Sequence, residues 1–307
     1  MTMPSSLRRV AIVGASGHLG PFILKALQDN QNFDITVITR KSSSAVFPAN
    51  TRVVRVADGY QDDEMIEAFR GHDAVVLSLG FAAEHRHAAL ARASIEAGVK
   101  RLVASGYGVD PTNEEASKVF PVATTKAAMV EDLKSLETSS WSWTVISCGV
   151  FLDFCIQVGF FGIDPVKKTA SVWDDGNARF TATTRESIGK SVVGVLQHPD
   201  ETANRSVYIS STELSMNELL AAEKKVSGED GWQVSHVNTE EEIAKAQETL
   251  TTATEFMPKM MAVGRLGLAV NMKESFGANF RALGLLENEL LGVPQESLED
   301  IVRRVRA

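Results

Sequence analysis

Residues 10–20 read Val10-Ala11-Ile12-Val13-Gly14-Ala15-Ser16-Gly17-His18-Leu19-Gly20. A short apolar run, suited to a buried strand, leads into three glycines spaced G-x-x-G-x-x-G. A helical pattern follows from Pro21. Glycine at these points permits a tight turn, close approach of the backbone to a pyrophosphate and close packing of helix on strand. The helix N-terminus then directs free N–H groups at the phosphates. A glycine triplet alone is weak, and an ordinary glycine turn is the competing reading. The strand–turn–helix context favours a dinucleotide loop made of Gly14, Ser16, Gly17, His18, Leu19 and Gly20. His18 is explained as well by a turn position as by contact.

Outward from that loop, apolar runs at 35–38, 53–56, 74–79, 102–104 and 144–147 alternate with helical patterns near 21–28, 62–69, 87–97 and 122–136. Strands alternating with helices imply a parallel sheet covered on both faces. Val/Ile-rich runs without polar alternation suit strands buried on both sides. The expected fold is α/β, a Rossmann-type doubly wound parallel sheet, with a smaller α+β lobe.

After Cys148 the rhythm changes. An aromatic block at 151–161 precedes short strands at 169–173 and 179–183 and a helix at 185–196. A strand at 207–209 could return to the first sheet. Helices at 216–226 and 240–249 flank a strand at 232–237, and 295–306 reads as an amphipathic helix. The expected division is a dinucleotide domain over 1–150, rejoined by about 185–212, and a lobe from 151–184 and 213–307.

The second strand ends at Thr39-Arg40-Lys41-Ser42. An NAD site usually carries Asp or Glu about 20 residues beyond the glycines, for the ribose hydroxyls. Here stand Arg40 and Lys41, whose charge and donor geometry favour a 2′-phosphate. NADPH is therefore the expected cofactor. The alternative is that both are solvated loop charges.

Composition bounds the rest. Of 307 residues, 44% are hydrophobic and 23% charged, so a sizeable core is available. A formal net charge of −8 argues against non-specific nucleic-acid or anionic-membrane binding. No apolar run reaches about 18 residues, and the start lacks a secretory pattern. Two cysteines, Cys148 and Cys155, read as buried thiols in a reducing compartment, and a cytoplasmic location is expected. His85 and His87 lack companions at metal-ligand spacing, so no metal is expected.

In the helix after Pro121, Val122, Met129, Val130, Leu133 and Leu136 share one side, and Lys126 falls inside that apolar stripe. Such a lysine either snorkels to water or serves a site. Phe151, Phe154, Phe160 and Trp173 could wall an apolar pocket or be plain core.

The stretches GASGHLG (14–20), ITRKSSS (38–44), VKRLVASGYGVD (99–110), Lys126 and WSWTVISCGVFLD (141–153) resemble the NmrA-like and isoflavone-reductase-like branch of atypical short-chain dehydrogenases. GANFRALG (277–284) resembles the C-terminal part of that family. The resemblance implies an NADPH-dependent reductase acting on a small, largely apolar or aromatic secondary metabolite, at a carbonyl or activated C=C. It implies a site between the two lobes, with Lys126 as the catalytic lysine. It also implies that the loop Leu79-Gly80-Phe81 lines the cofactor and that Ser105, Gly106 and Tyr107 lie near the nicotinamide. One departure stands out: the tyrosine that ordinary short-chain dehydrogenases carry four residues before the lysine is Val122 here. Lys126 could then donate a proton or only hold the nicotinamide ribose. Regulators of the same family bind dinucleotides without turnover, so an NADP(H)-sensing regulator is the alternative. The oligomeric state is left open, a homodimer included.

Overall fold

A computed structural model describes residues 7–307. β1 (Arg9–Val13), α1 (Gly20–Asp29), β2 (Asp34–Arg40) and β3 (Arg52–Val56) come first. α2 (Asp62–Phe69), β4 (Ala74–Leu77), a 3-10 turn (Phe81–Arg86), α3 (His87–Glu96) and β5 (Arg101–Val103) follow. Next are α4 (Glu114–Val119), α5 (Pro121–Ser135) and β6 (Ser142–Ser147).

The remaining elements are β7 (Val150–Phe151), α6 (Leu152–Gln157), β8 (Ile163–Asp164), β9 (Thr169–Trp173), β10 (Phe180–Thr183), α7 (Arg185–Gln197) and β11 (Arg205–Tyr208). β12 (Thr212–Leu214), α8 (Met216–Ser227), β13 (Gln233–Val237), α9 (Thr239–Thr252), α10 (Phe256–Ala269), a second 3-10 turn (Glu274–Phe276) and α11 (Leu298–Arg306) complete the chain.

Seven strands make one sheet in the order β11-β6-β5-β4-β1-β2-β3, every pair parallel. The order reverses between β1 and β4, and ligands of such sheets sit beyond the strand C-termini at that switch point.

Side-chain alternation along the strands explains the double cover. Val10 and Ile12 of β1 pack with Ile23, Leu24 and Leu27 of α1 and with Ile188, Val192 and Val195 of α7. Ala11 and Val13 face the other way, onto Met65 and Phe69 of α2, Leu90 of α3 and Val130 and Leu133 of α5. All four residues of β4 are buried, so each large side chain contributes about 1.5–3 kcal/mol of burial.

β4 stops two residues short of the run's apolar end. The Leu79 N–H leaves the ladder and bonds the Ser105 side chain instead, at 2.9 Å.

Beyond β6 a second core forms from Leu152 and Ile156 of α6, Trp173, Phe180, Leu219 of α8, Ile243 of α9, Leu266 of α10 and Ile301 of α11. Two three-stranded sheets, β12-β10-β7 and β13-β9-β8, belong to this part. Its helices carry clear starts: Ser215 and Glu218 form a capping box on α8, and Asn238 caps α9. α4 and α10 are absent from the expectations above. α4 is a single Asn113-capped turn and a half, and Gly264 and Gly267 blur the apolar period of α10.

No helix among the described residues is long and apolar enough to cross a membrane.

Candidate functional site

Because the strands are parallel, the segments after β1, β2, β4, β5 and β6 all emerge at one edge. The glycine loop is the tightest of them. Gly14 has φ +88, and a β-carbon on it would lie 2.0 Å from the Ser78 carbonyl oxygen. One on Gly20 would lie 2.1 Å from the Gly14 carbonyl oxygen. Both positions therefore need glycine to bring β1, β4 and α1 together. Gly17 closes the turn by donating its N–H to the Gly14 carbonyl at 3.1 Å. Ser16, Gly17 and His18 are exposed. Among the described residues, the N–H groups of His18 and Leu19 donate to no protein acceptor. Free N–H groups at a helix start suit a pyrophosphate.

Arg40 ends β2 and is exposed. Lys41 pairs with Glu64 at 3.1 Å, so its charge is partly engaged. Asp58, beyond β3, accepts from the Ser42 N–H at 3.0 Å. The Ser42 hydrogen bonds hold Asp58 below the usual carboxylate range, and Arg40 and Lys41 add to this. Asp58 is thus turned onto the loop backbone, and Arg40 and Lys41 are the exposed groups at the end of β2.

After β4 and β5, Leu79 and Ser105 lock together. The Ser105 Oγ accepts from the Leu79 N–H at 2.9 Å, so that hydroxyl is spent on structure. Gly80 is exposed, and the side chain of Phe81 lies outside the described residues. The Ser105 N–H donates to Nε2 of buried His87 at 3.3 Å. A backbone N–H can only donate, so Nε2 carries no proton. Burial lowers the His87 pKa to about 4. His85, two residues away, is exposed.

Lys126 is buried, 7% exposed, on the inward side of α5 with Ala123, Met129, Val130 and Leu133. Its ammonium donates to the Tyr107 carbonyl. Gly108, at φ +129, makes room: a β-carbon there would lie 2.9 Å from Nζ. Burial lowers the Lys126 pKa, opposed by Cys148 and Glu84. Burial pushes the Cys148 thiol up to about 12 despite Lys126, so the thiol is no counter-ion at neutral pH. An ammonium has three donors. Only one has a protein acceptor among the described residues. A buried charge so thinly served is costly unless another polar group joins it.

The Tyr107 side chain packs with Ala15 and Leu19 in the core on the α1 side of the sheet. Its hydroxyl is buried and has no hydrogen-bond partner among the described residues.

The aromatic residues divide. Phe154, half-buried on α6, lies against the His18 ring at 4.7 Å between centroids. Phe151 is half-buried against the first core. Phe160 is half-buried and borders Gly264 of α10, where a β-carbon would lie 3.6 Å from its ring. Of the two readings offered for Trp173, its burial favours plain core. It is 1% exposed in the second core, with the Arg265 guanidinium 4.3 Å over its ring. Burying the largest side chain of β9 gives that core its volume. Phe120, passed over as an aromatic in the sequence, precedes α5 and lies against Gly267 of α10, 3.0 Å from a β-carbon built there.

The contacts of Gly108 with Lys126, His87 with Ser105 and Phe120 with Gly267 were not visible in the sequence because the partners lie on other elements.

The NmrA-like family profile matches residues 6–283. The oxidoreductase aprR of Aspergillus flavus is 31% identical over 298 residues, covering 97% of this chain and 98% of that protein. The fold is similar to that of an isoflavone reductase, with TM-score 0.75, 18% identity and coverage of 97% and 99% of the two chains. It is also similar to AtPrR2, solved with NADP+ and (+)pinoresinol, with TM-score 0.77, 17% identity and coverage of 97% and 98%.

Proposed function

This chain belongs to the NmrA-like family, and we propose that it is an NADPH-dependent reductase of a small, largely apolar, aromatic molecule. One observation carries the reading. Lys126 is buried at the sheet edge where the phosphate-type loop opens, with a lowered pKa and a single protein acceptor among the described residues. A core lysine without a task would reach a carboxylate or water.

The residues fit the dinucleotide. Gly14 and Gly20 let the loop fold tightly against β4 and α1, Ser16, Gly17 and His18 form its exposed side, and the Leu19 N–H donates to no acceptor among the described residues. Arg40 would hold the 2′-phosphate, and the unpartnered Tyr107 hydroxyl would meet a polar edge of the cofactor. When bound, NADPH supplies the hydride. The protein's part is to orient and to manage charge. The Lys126 ammonium stabilises negative charge on the substrate oxygen and donates the proton that balances hydride addition. With Val122 at the usual tyrosine position, no phenol on α5 shares that task.

An aromatic substrate is supported by the half-buried rings of Phe120 and Phe160 against the Gly264–Gly267 face of α10, which packs on α5. The relative solved with (+)pinoresinol is consistent with this class. The substrate lobe in this reading is the second core.

The test is oxidation of NADPH, with NADH in parallel, across a panel of aromatic enones and ketones. Turnover with NADPH preferred is the expected result. Tight NADPH binding with no turnover on any of them, joined by a stable protein partner, would sink the reductase in favour of a redox-sensing regulator. That second reading draws on the Lys126 ammonium being committed to the Tyr107 carbonyl.

A further inference from the structure

Arg185, the first residue of α7, joins three parts of the chain. Its Nε donates to Asp153 Oδ2 at 2.8 Å, and its own backbone N–H donates to Asp153 Oδ1 at 3.0 Å. Its Nη2 reaches Gln157 Oε1 at 3.2 Å. Its Nη1 reaches the His18 carbonyl at 3.4 Å, a long hydrogen bond. The guanidinium carbon lies 4.6 Å from the Phe22 ring centre on α1 and 5.4 Å from that of Phe154 on α6. Both members of the Arg185–Asp153 pair are only 13% exposed. The guanidinium is thus wedged between the glycine loop and the first helix of the second lobe.

The consequence follows from peptide geometry. The His18–Leu19 bond is trans, as are all the described bonds. In a trans peptide the C=O of one residue and the N–H of the next point in opposite directions. Anchoring the His18 carbonyl on Arg185 therefore turns the Leu19 N–H away from the wedge. That N–H has no protein acceptor among the described residues. Because Asp153 neutralises the guanidinium, Arg185 acts less as a charge than as a strut.

We propose that Arg185, held by Asp153, is a positioning residue that aims the Leu19 N–H at the cofactor pyrophosphate and ties the loop's shape to the substrate lobe. This inference rests on the dinucleotide reading above. It adds a residue from the far side of the chain to the phosphate site. Lysine cannot replace it, since an ammonium lacks the planar fork and stacks poorly between two rings.

The test compares two ligands by calorimetry: NADPH, which lays a pyrophosphate on the loop, and adenosine 2′-monophosphate, which needs only the Arg40 end. In Arg185→Lys the NADPH Kd is expected to rise about 10-fold, equivalent to about 1.4 kcal/mol. Adenosine 2′-monophosphate affinity stays within about two-fold, which also reports an intact fold. Asp153→Asn, which loosens the strut without removing it, is expected to give a smaller rise in the same direction. The inference is overturned if both variants bind NADPH like the wild type, or if both ligands weaken by the same factor. A wild type that binds no NADPH at all would overturn the proposed function instead.

Discussion

Gly108 and Lys126 compete for one volume: a β-carbon on Gly108 would lie 2.9 Å from the Lys126 Nζ. The lysine reaches the Tyr107 carbonyl only because that β-carbon is missing. Gly108→Ala adds backbone strain at φ +129 as well. The expected cost is about 1–3 kcal/mol of stability, together with loss of turnover and retained NADPH binding. Adding Lys126→Met in that background should lower kcat no further, because the alanine has already displaced the ammonium. Additive losses in the double variant would separate the two residues.

Lys126→Met alone keeps the bulk and removes the charge. Proton donation by a placed side chain contributes roughly 100- to 10,000-fold, so kcat should fall at least about 100-fold while NADPH still binds. The active form is the ammonium, and burial lowers its pKa. Turnover must therefore decline as pH rises through that lowered value, below the ordinary lysine range. A kcat–pH profile checks this: an alkaline limb that survives in Lys126→Met would belong to another group.

Arg40→Ala tests cofactor choice. Losing a charge-assisted hydrogen bond of about 1.5–3 kcal/mol raises the NADPH Kd about 10- to 100-fold. NADH affinity is expected to stay as it was, because NADH has no 2′-phosphate. Equal losses for both cofactors in side-by-side titrations would make Arg40 a loop charge and no more.

His87 predicts an acid weakness. Its pKa falls from 6.5 to about 4 on burial. Between these values the unfolded chain binds a proton that the folded chain refuses, so stability falls as pH drops from 6.5 towards 4. The shift corresponds to about 3 kcal/mol. Chemical denaturation across that range should reveal the slope, and His87→Gln should flatten it while still offering an acceptor to the Ser105 N–H. A slope equally steep in the variant would assign it to other groups.

Much of the site's frame was legible because it is local. The glycine spacing needs only eleven consecutive residues to declare a strand, a turn and a helix. Arg40 is legible for the same reason, as the residue that ends the next strand. Lys126 showed itself as a charge in an apolar stripe, a pattern within one helix. Trp173 was left open by this kind of reading, since an aromatic residue in a strand looks the same whether it faces a pocket or a core. Phe120 was passed over, because its contact depends on Gly267, brought up by a helix from the far end of the chain.

The sequence by itself determined the parallel α/β sheet and the strand–glycine turn–helix that opens it, since periodicity and spacing act over a few residues. Only the tertiary structure decided that Lys126 lies over Gly108, that Asp58 turns onto Ser42, and that Arg185 braces His18 from 167 residues away. These are packing outcomes. They depend on which side chains the sheet order brings to one edge, and no local pattern encodes that order.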